Sequence, residues 1–140
     1  MVREPLSAEM IDAGSHLLAI LDQEHIPACG VFWFFDLNDG QWFLVLALPL
    51  YDSFGPRITY AKVRGLLQNH QEQVSLRLRD IRLVSPDDPL VRALTSSVKI
   101  GIGGGRVRLH QSRLNDVYVE DMLVYRSAAD ARATYQRQSA

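Results

Sequence analysis

The first regular feature of the chain is a helical spacing of apolar residues. Between Leu6 and Leu21 apolar positions recur at helical intervals, and Ser7 or Pro5 supplies a helix start signal. Pro27 closes the segment, because the residue before a proline disfavours helical backbone angles. The spacing therefore predicts a helix over about residues 7–24, with acidic residues on its polar face.

Two apolar runs joined by a turn signal come next. They cover residues 31–35 and 42–48, and the sequence Asn-Asp-Gly at 38–40 favours a β-hairpin because Asn and Gly tolerate positive φ. Neither run alternates polar with apolar residues, so we expect both strands to be central and covered on both faces. A second subunit or another protein could supply part of that cover. The hairpin residues predicted to form a protein interface are Trp33, Phe35 and Trp42.

The middle of the chain predicts a second helix and a third strand. After a loop over residues 49–55, apolar spacing indicates a helix from Pro56 to about His70. Residues 74–84 alternate and then slip in phase near Asp80, which indicates a β-bulge or the junction of two short strands.

The last third of the chain predicts one more helix and two more strands. Asp88 and Pro89 form a helix start, a glycine-rich stretch covers residues 101–105, and residues 106–110 alternate as a strand. A final strand covers residues 117–125. The order α-β-β-α-β-α-β-β predicts an α+β fold in which helices pack on a mostly antiparallel five-stranded sheet.

Length and composition are those of one ordinary domain. The chain has 140 residues, of which 47% are hydrophobic and 22% are charged, enough to build a core without disulfides. We expect a single domain over residues 1–126 and a tail over 127–140 that is helical or frayed. Cys29 is the only cysteine, and its apolar neighbours predict a buried, inert thiol. The N-terminus lacks a secretory apolar core and no run is long enough to span a membrane, so a cytoplasmic location is expected.

Charge is divided along the chain although the formal net charge is only −1. Residues 1–56 hold one cation against eight acids, a net of −7, whereas residues 57–113 hold eleven cations against four acids, a net of +7. Such asymmetry predicts a basic surface that contacts phosphate or an acidic partner.

The basic surface is expected on alternating strand positions. If Val107 and Leu109 face the core, Arg106, Arg108 and His110 project to the other side of the strand. The alternatives are a nucleic-acid contact and a solvated or protein-contacting face paired with Glu120 or Asp116. A sequence pI near 6.4 argues against a strong free-standing nucleic-acid binder. The residues assigned to nucleic-acid or anion binding are Arg77, Arg79, Lys99, Arg106, Arg108, His110 and Arg113.

No catalytic or metal-binding motif is found. The glycine-rich stretch precedes a strand and lacks both the dinucleotide fingerprint and the Walker Gly-Lys-Ser/Thr sequence, so it is a connector or a loop that contacts phosphate. The four histidines lack zinc-site spacing, and no nucleophile elbow is present. We therefore assign no catalytic residue, no metal and no cofactor. An enzyme built on this chain would draw on Asp36, Asp52, Arg108 and His110.

Four phrases of the sequence, LSAEMIDAGSHLLAILD, GPRITYAKVRGLL, DIRLVSPDDPLVRAL and VEDMLVYR, resemble an uncharacterised family of small bacterial proteins. The resemblance covers most of the chain. It implies a bacterial origin, a self-contained domain and a place among the small subunits of gene-cluster machines, anti-phage systems included. It contains no catalytic motif and implies no activity.

These observations favour a non-catalytic interaction module, a small subunit of a larger assembly. The apolar hairpin or the acidic first helix would join a protein partner, and the basic segment would contact nucleic acid or an acidic neighbour. The alternatives are a small hydrolase or nuclease with an unrecognised site and a homodimeric ligand-binding module.

Overall fold

The computed structural model describes residues 5–101 and 103–129. Three helices and five strands follow the predicted order. They are α1 (Ala8–Gln23), β1 (Gly30–Asp36), β2 (Gln41–Ala47), α2 (Pro49–Asn69), β3 (Ile81–Val84), α3 (Pro89–Ser97), β4 (Val107–Leu114) and β5 (Val117–Ser127). The predicted α+β class is confirmed.

Helices α1 and α3 begin at the residues that the sequence indicates. The Ser7 hydroxyl accepts a hydrogen bond from the backbone N–H of Met10 at 3.1 Å. The Asp88 carboxylate accepts from the backbone N–H groups of Leu90 and Val91, and Pro89 fills the first helical position. Each cap satisfies donors that the first turn leaves without helical partners.

The sheet has the strand order β3-β2-β1-β5-β4. β1 and β2 form the predicted antiparallel hairpin, and both are interior strands as expected. β2 and β3 run parallel because α2 carries the chain from the end of one strand to the start of the other. β3 and β4 are the two edges of the sheet among the strands described.

Two apolar clusters lie on opposite faces of the sheet. Alternate residues of β1 enter them: Val31, Trp33 and Phe35 pack with α1 and α2, whereas Phe32 packs with α3. The same alternation continues through β2 and β5. Both faces of the hairpin are covered, as expected, but helices cover each of them, where the sequence suggests a second layer or a partner on one side.

The predicted strand over residues 74–84 is mostly wrong. Only its last four residues form β3, and Leu78–Asp80 form a 3₁₀ turn in which the Asp80 carboxylate accepts from the Arg77 backbone N–H. The change of phase at Asp80 marks this turn rather than a bulge. Arg77 and Arg79 consequently do not lie on a strand.

The predicted loop at residues 49–55 is wrong as well, because Pro49 already begins α2. The helix is broken at Gly55, where φ is 82° and ψ is 173°, and it resumes at Pro56. The expected helix start at Pro56 thus appears as a kink within a longer element. β5 extends to Ser127, and the rest of the predicted tail, residues 130–140, lies outside the described residues.

Candidate interaction surface

β4 places the predicted basic strand at an edge of the sheet. Val107 and Leu109 are half-buried against the α3-side cluster, while Arg108 and His110 project to the opposite side, as the alternation along a strand requires. β4 is eight residues long and pairs with β5 along one side. No other strand of the described chain pairs with its outer side.

Arg108 is held by a buried carboxylate on the neighbouring strand. Its Nε atom lies 2.7 Å from Oδ1 of Asp121 and its NH2 atom lies 2.9 Å from Oδ2, a bidentate pair. The Asp121 side chain is only 2% exposed. Hydrogen bonding to Asp121 raises the pKa of Arg108 above its ordinary value, although partial burial acts to lower it. The charge of Arg108 is therefore already matched within the molecule.

Asp121 also organises its surroundings. His110 Nδ1 lies 3.4 Å from Asp121 Oδ1, and the Arg108 guanidinium stands 5.7 Å from the centre of the Trp42 ring. Among the described ion pairs, Asp121 rather than the expected Glu120 or Asp116 is the carboxylate that Arg108 and His110 meet, and Glu120 accepts hydrogen bonds from Gln111 and Tyr118. The register of β4 and β5 places His110 opposite Asp121, which makes Asp121 the carboxylate within reach. This partner could be identified only from the register of the two strands.

The seven predicted binding residues divide into those with a carboxylate partner and those without one. Arg77 pairs with Asp80 at 3.6 Å, and Arg108 and His110 meet Asp121 as above. The remaining four make no ion pair within residues 5–101 and 103–129; they are Arg79, Lys99, Arg106 and Arg113. Arg106 and Arg113 stand near the two ends of β4 and are exposed.

The predicted protein-interface residues of the hairpin are core residues. Trp33, Phe35 and Trp42 are 1%, 6% and 8% exposed. The Trp33 indole N–H donates to the Met10 carbonyl of α1 at 3.0 Å, which fixes the helix over the hairpin. Phe35 and Trp42 pack edge to face and line a cleft of about 350 Å³ that Glu9 and residues 75–77 also border. This burial leaves little of the three aromatic residues for a partner.

Of the four residues that would serve an enzyme, Arg108 and His110 share a contact with Asp121, and Asp36 and Asp52 lie on other elements. Asp36 lies at the hairpin turn, where the Arg82 guanidinium donates to it at 3.0 Å and stacks over Phe43. Burial favours the neutral form of Asp36, but hydrogen bonds from Arg82 and from two turn N–H groups outweigh it and hold its pKa below the ordinary value. Asp52 is exposed on α2, far along the chain from the Asp121 cluster. Within the described residues no three His, Cys, Asp or Glu side chains are placed to hold a metal ion.

A second cleft, of about 710 Å³, lies beside α3. Arg92, Lys99 and Asn115 line it, and the buried Cys29 thiol forms part of its floor. Cys29 is 4% exposed, in keeping with the expected buried thiol. The glycine-rich stretch leads from this region into β4, and Gly103 has the positive φ of 80° that favours glycine.

A scan of family models, a search of curated proteins and a search of solved structures found no match to this chain. No helix in the described part of the chain is long and apolar enough to cross a bilayer.

Proposed function

We propose that this protein is a non-catalytic interaction module that binds an acidic, extended segment of a partner protein along β4. Two observations on the described residues carry the proposal: the outer edge of β4 pairs with no other strand, and cations near its ends have no carboxylate partner. An edge strand offers backbone N–H and C=O groups to a further strand, and flanking charges select its sequence.

The spacing of the charges supports an extended ligand. Arg106 and Arg113 are seven residues apart, about 23 Å along a strand. Arg108 lies between them with its guanidinium held by Asp121, so the centre of the edge is close to neutral and the two ends are basic. A partner strand with acidic residues toward both ends would match this distribution.

Charge also favours a protein over a nucleic acid as the partner. The chain has a formal net charge of −1 and a pI near 6.4, whereas phosphate-binding domains concentrate many Lys and Arg residues on one face. Asp80 and Asp121 neutralise two of the arginines that would otherwise extend such a face. Arg79 lies in the 3₁₀ turn before β3 and Lys99 in the connection between α3 and β4, so neither is on β4.

Fluorescence anisotropy with defined probes tests the proposal. The probes are an eight-residue peptide of alternating Glu and Thr, which matches the length of β4, the same peptide with Lys in place of Glu, and single-stranded DNA. Of the three probes, we expect only the acidic peptide to bind. The double substitution Arg106→Glu/Arg113→Glu should weaken the affinity for this peptide about tenfold or more, and a tenfold loss is roughly 1.4 kcal/mol of binding free energy. Amides of β4 should gain protection from hydrogen exchange when the acidic peptide is bound.

The matched control reverses two charges on α2, at the opposite edge of the sheet from β4. Arg57→Glu/Arg64→Glu changes the net charge by the same amount on α2 and should leave binding of the extended peptide unchanged. Equal losses in both double variants would show a nonspecific charge effect and overturn the proposal. Tighter binding of DNA than of the peptide, with steep salt dependence, would assign the surface to nucleic acid instead.

A further inference from the structure

The kink in α2 presents two large apolar side chains to solvent. Phe54 is 57% exposed and Ile58 is 55% exposed, and they stand on either side of the break at Gly55. Pro56 between them is exposed too. Single exposed apolar residues are common, but three within five positions form a patch that needs an explanation.

The kink is a fixed feature of the fold. The Thr59 hydroxyl donates to the Gly55 carbonyl at 2.7 Å, and Thr59 itself is fully buried. Further along, Val63 is 1% exposed and the Tyr60 hydroxyl accepts from the Leu83 backbone N–H at 3.0 Å. The inner side of the helix is therefore anchored to β3 and the core, which leaves Phe54 and Ile58 on its outer side.

The charge around this patch is mainly positive, with Asp52 in the first turn the one acidic residue of α2. Residues 53–71 contain three cations, Arg57, Lys62 and Arg64, and no acidic residue. All three are exposed, and within the described residues none of them makes an ion pair. An apolar patch rimmed by unneutralised cations is complementary to a segment that carries acidic residues beside apolar ones.

We propose that this outer side of α2 docks an acidic amphipathic helix of a partner protein. The α2 backbone is already hydrogen-bonded within the helix, so recognition must come from side chains, and a helix presents apolar residues at matching intervals of three and four. Ala61 is exposed and Gly65 has open space where a side chain would stand, so the partner's backbone can approach closely beyond Ile58.

This surface is separate from the one proposed on β4. α2 packs on β3, at the opposite edge of the sheet from β4. Both surfaces could be occupied at once, and the module would then bridge two partner segments.

The test uses a synthetic helical peptide of about 18 residues, five helical turns, with Leu along one side and Glu elsewhere. The control peptide has Lys in place of Glu. We expect the acidic peptide to bind with an affinity that falls with salt, and Phe54→Ser/Ile58→Ser to weaken it about tenfold or more. Arg57→Glu/Arg64→Glu should weaken it comparably, while Arg106→Glu/Arg113→Glu should retain binding.

Each contrary outcome is distinct. Equal binding of the Lys peptide, or binding that survives Phe54→Ser/Ile58→Ser, would overturn the proposal. A wild-type protein that is dimeric by light scattering and becomes monomeric in Phe54→Ser/Ile58→Ser would assign the patch to a second copy of the chain. Because these residues are exposed, unfolding temperatures should change little. Failure here leaves the β4 proposal intact, since the two probes and the two arginine pairs are independent.

Discussion

Helices α1 and α2 pack on the same face of the sheet and use their polar residues in opposite ways. The sheet holds α1 through three contacts: Trp33 donates to the Met10 carbonyl, Tyr125 donates to the Ile11 carbonyl at 2.6 Å, and Arg126 pairs with Asp22. α2 shows only the Tyr60 contact to a strand among its described hydrogen bonds, and its cations remain in solvent.

A charged helix face can therefore serve the fold or remain available to a partner, and the amphipathic pattern alone does not distinguish the two. Arg126 is 3% exposed and its two terminal nitrogens both contact Asp22, at 2.6 and 2.9 Å. A buried arginine is tolerable only with such a partner. Arg57 and Arg64 have no such constraint, which leaves them free to recognise an external acid.

Removing the carboxylate that holds α1 should give the largest effect. Asp22→Ala leaves Arg126 buried without its bidentate partner and should lower the free energy of unfolding by about 3 kcal/mol. The matched control, Asp12→Ala on the exposed side of α1, should change it by less than about 0.5 kcal/mol. Urea denaturation measures both; equal effects would contradict a specific role for the Arg126 pair.

Alkaline pH should weaken the attachment of α1 through Tyr125. Burial raises its pKa from 10.0 to about 12, so the folded state keeps a proton that the unfolded state releases. The stabilisation is complete below pH 10 and is lost as pH rises toward 12, up to about 2.5 kcal/mol by linkage. Urea denaturation at pH 9 and pH 11 should show a larger loss for the wild type than for Tyr125→Phe. Equal losses of stability in the wild type and in Tyr125→Phe would argue against a raised pKa of Tyr125.

The glycine in α1 is predicted to be irreplaceable. A Cβ at Gly14 would lie 2.5 Å from the Tyr125 hydroxyl and 2.7 Å from its ring, so Gly14→Ala must displace the ring or the helix. We expect a loss of about 1–3 kcal/mol, in the range of overpacked cores. The midpoint of thermal unfolding measures this loss of stability. An unchanged midpoint would show that the Tyr125 ring or the helix can shift to accept the methyl group without a loss of stability.

The corresponding glycine in α2 should behave in the opposite way. Gly65 has helical φ, and no atom lies within 4 Å of the position that a Cβ would take there. Gly65→Ala should therefore stabilise the free protein by about 0.5–1 kcal/mol through helix propensity. The same thermal measurement serves as the readout. A loss instead of a gain would indicate that this side of α2 is covered in the folded protein.

Local patterns were reliable where the determinants lie within a few residues. The caps at Ser7 and Asp88 and the turn before Gly40 each depend on neighbouring atoms, and these elements appear as predicted. The stretch over residues 74–80 failed because its alternation is that of a strand while its backbone is bent by the Asp80 carboxylate. The helical turn at Pro49 was missed because proline and aspartate there are equally typical of a loop.

The candidate surfaces depended on longer-range information. The sequence separates acids from cations, and this predicted distinct acidic and basic faces. In the folded protein Arg82 meets Asp36, 46 residues away, and Arg126 meets Asp22, 104 residues away, so part of the asymmetry is neutralised within the fold. β4 and the outer side of α2 carry several of the cations that have no ion pair among the described residues.

By itself the sequence determined where most elements begin, which class of fold they form and that the central hairpin is buried on both faces. Those properties follow from local backbone preferences and from the periodicity of apolar residues. Only the tertiary structure decided which charges are neutralised and which remain exposed. Ion pairs form across a few ångströms of space between residues far apart in the chain, and strand order and register set those distances.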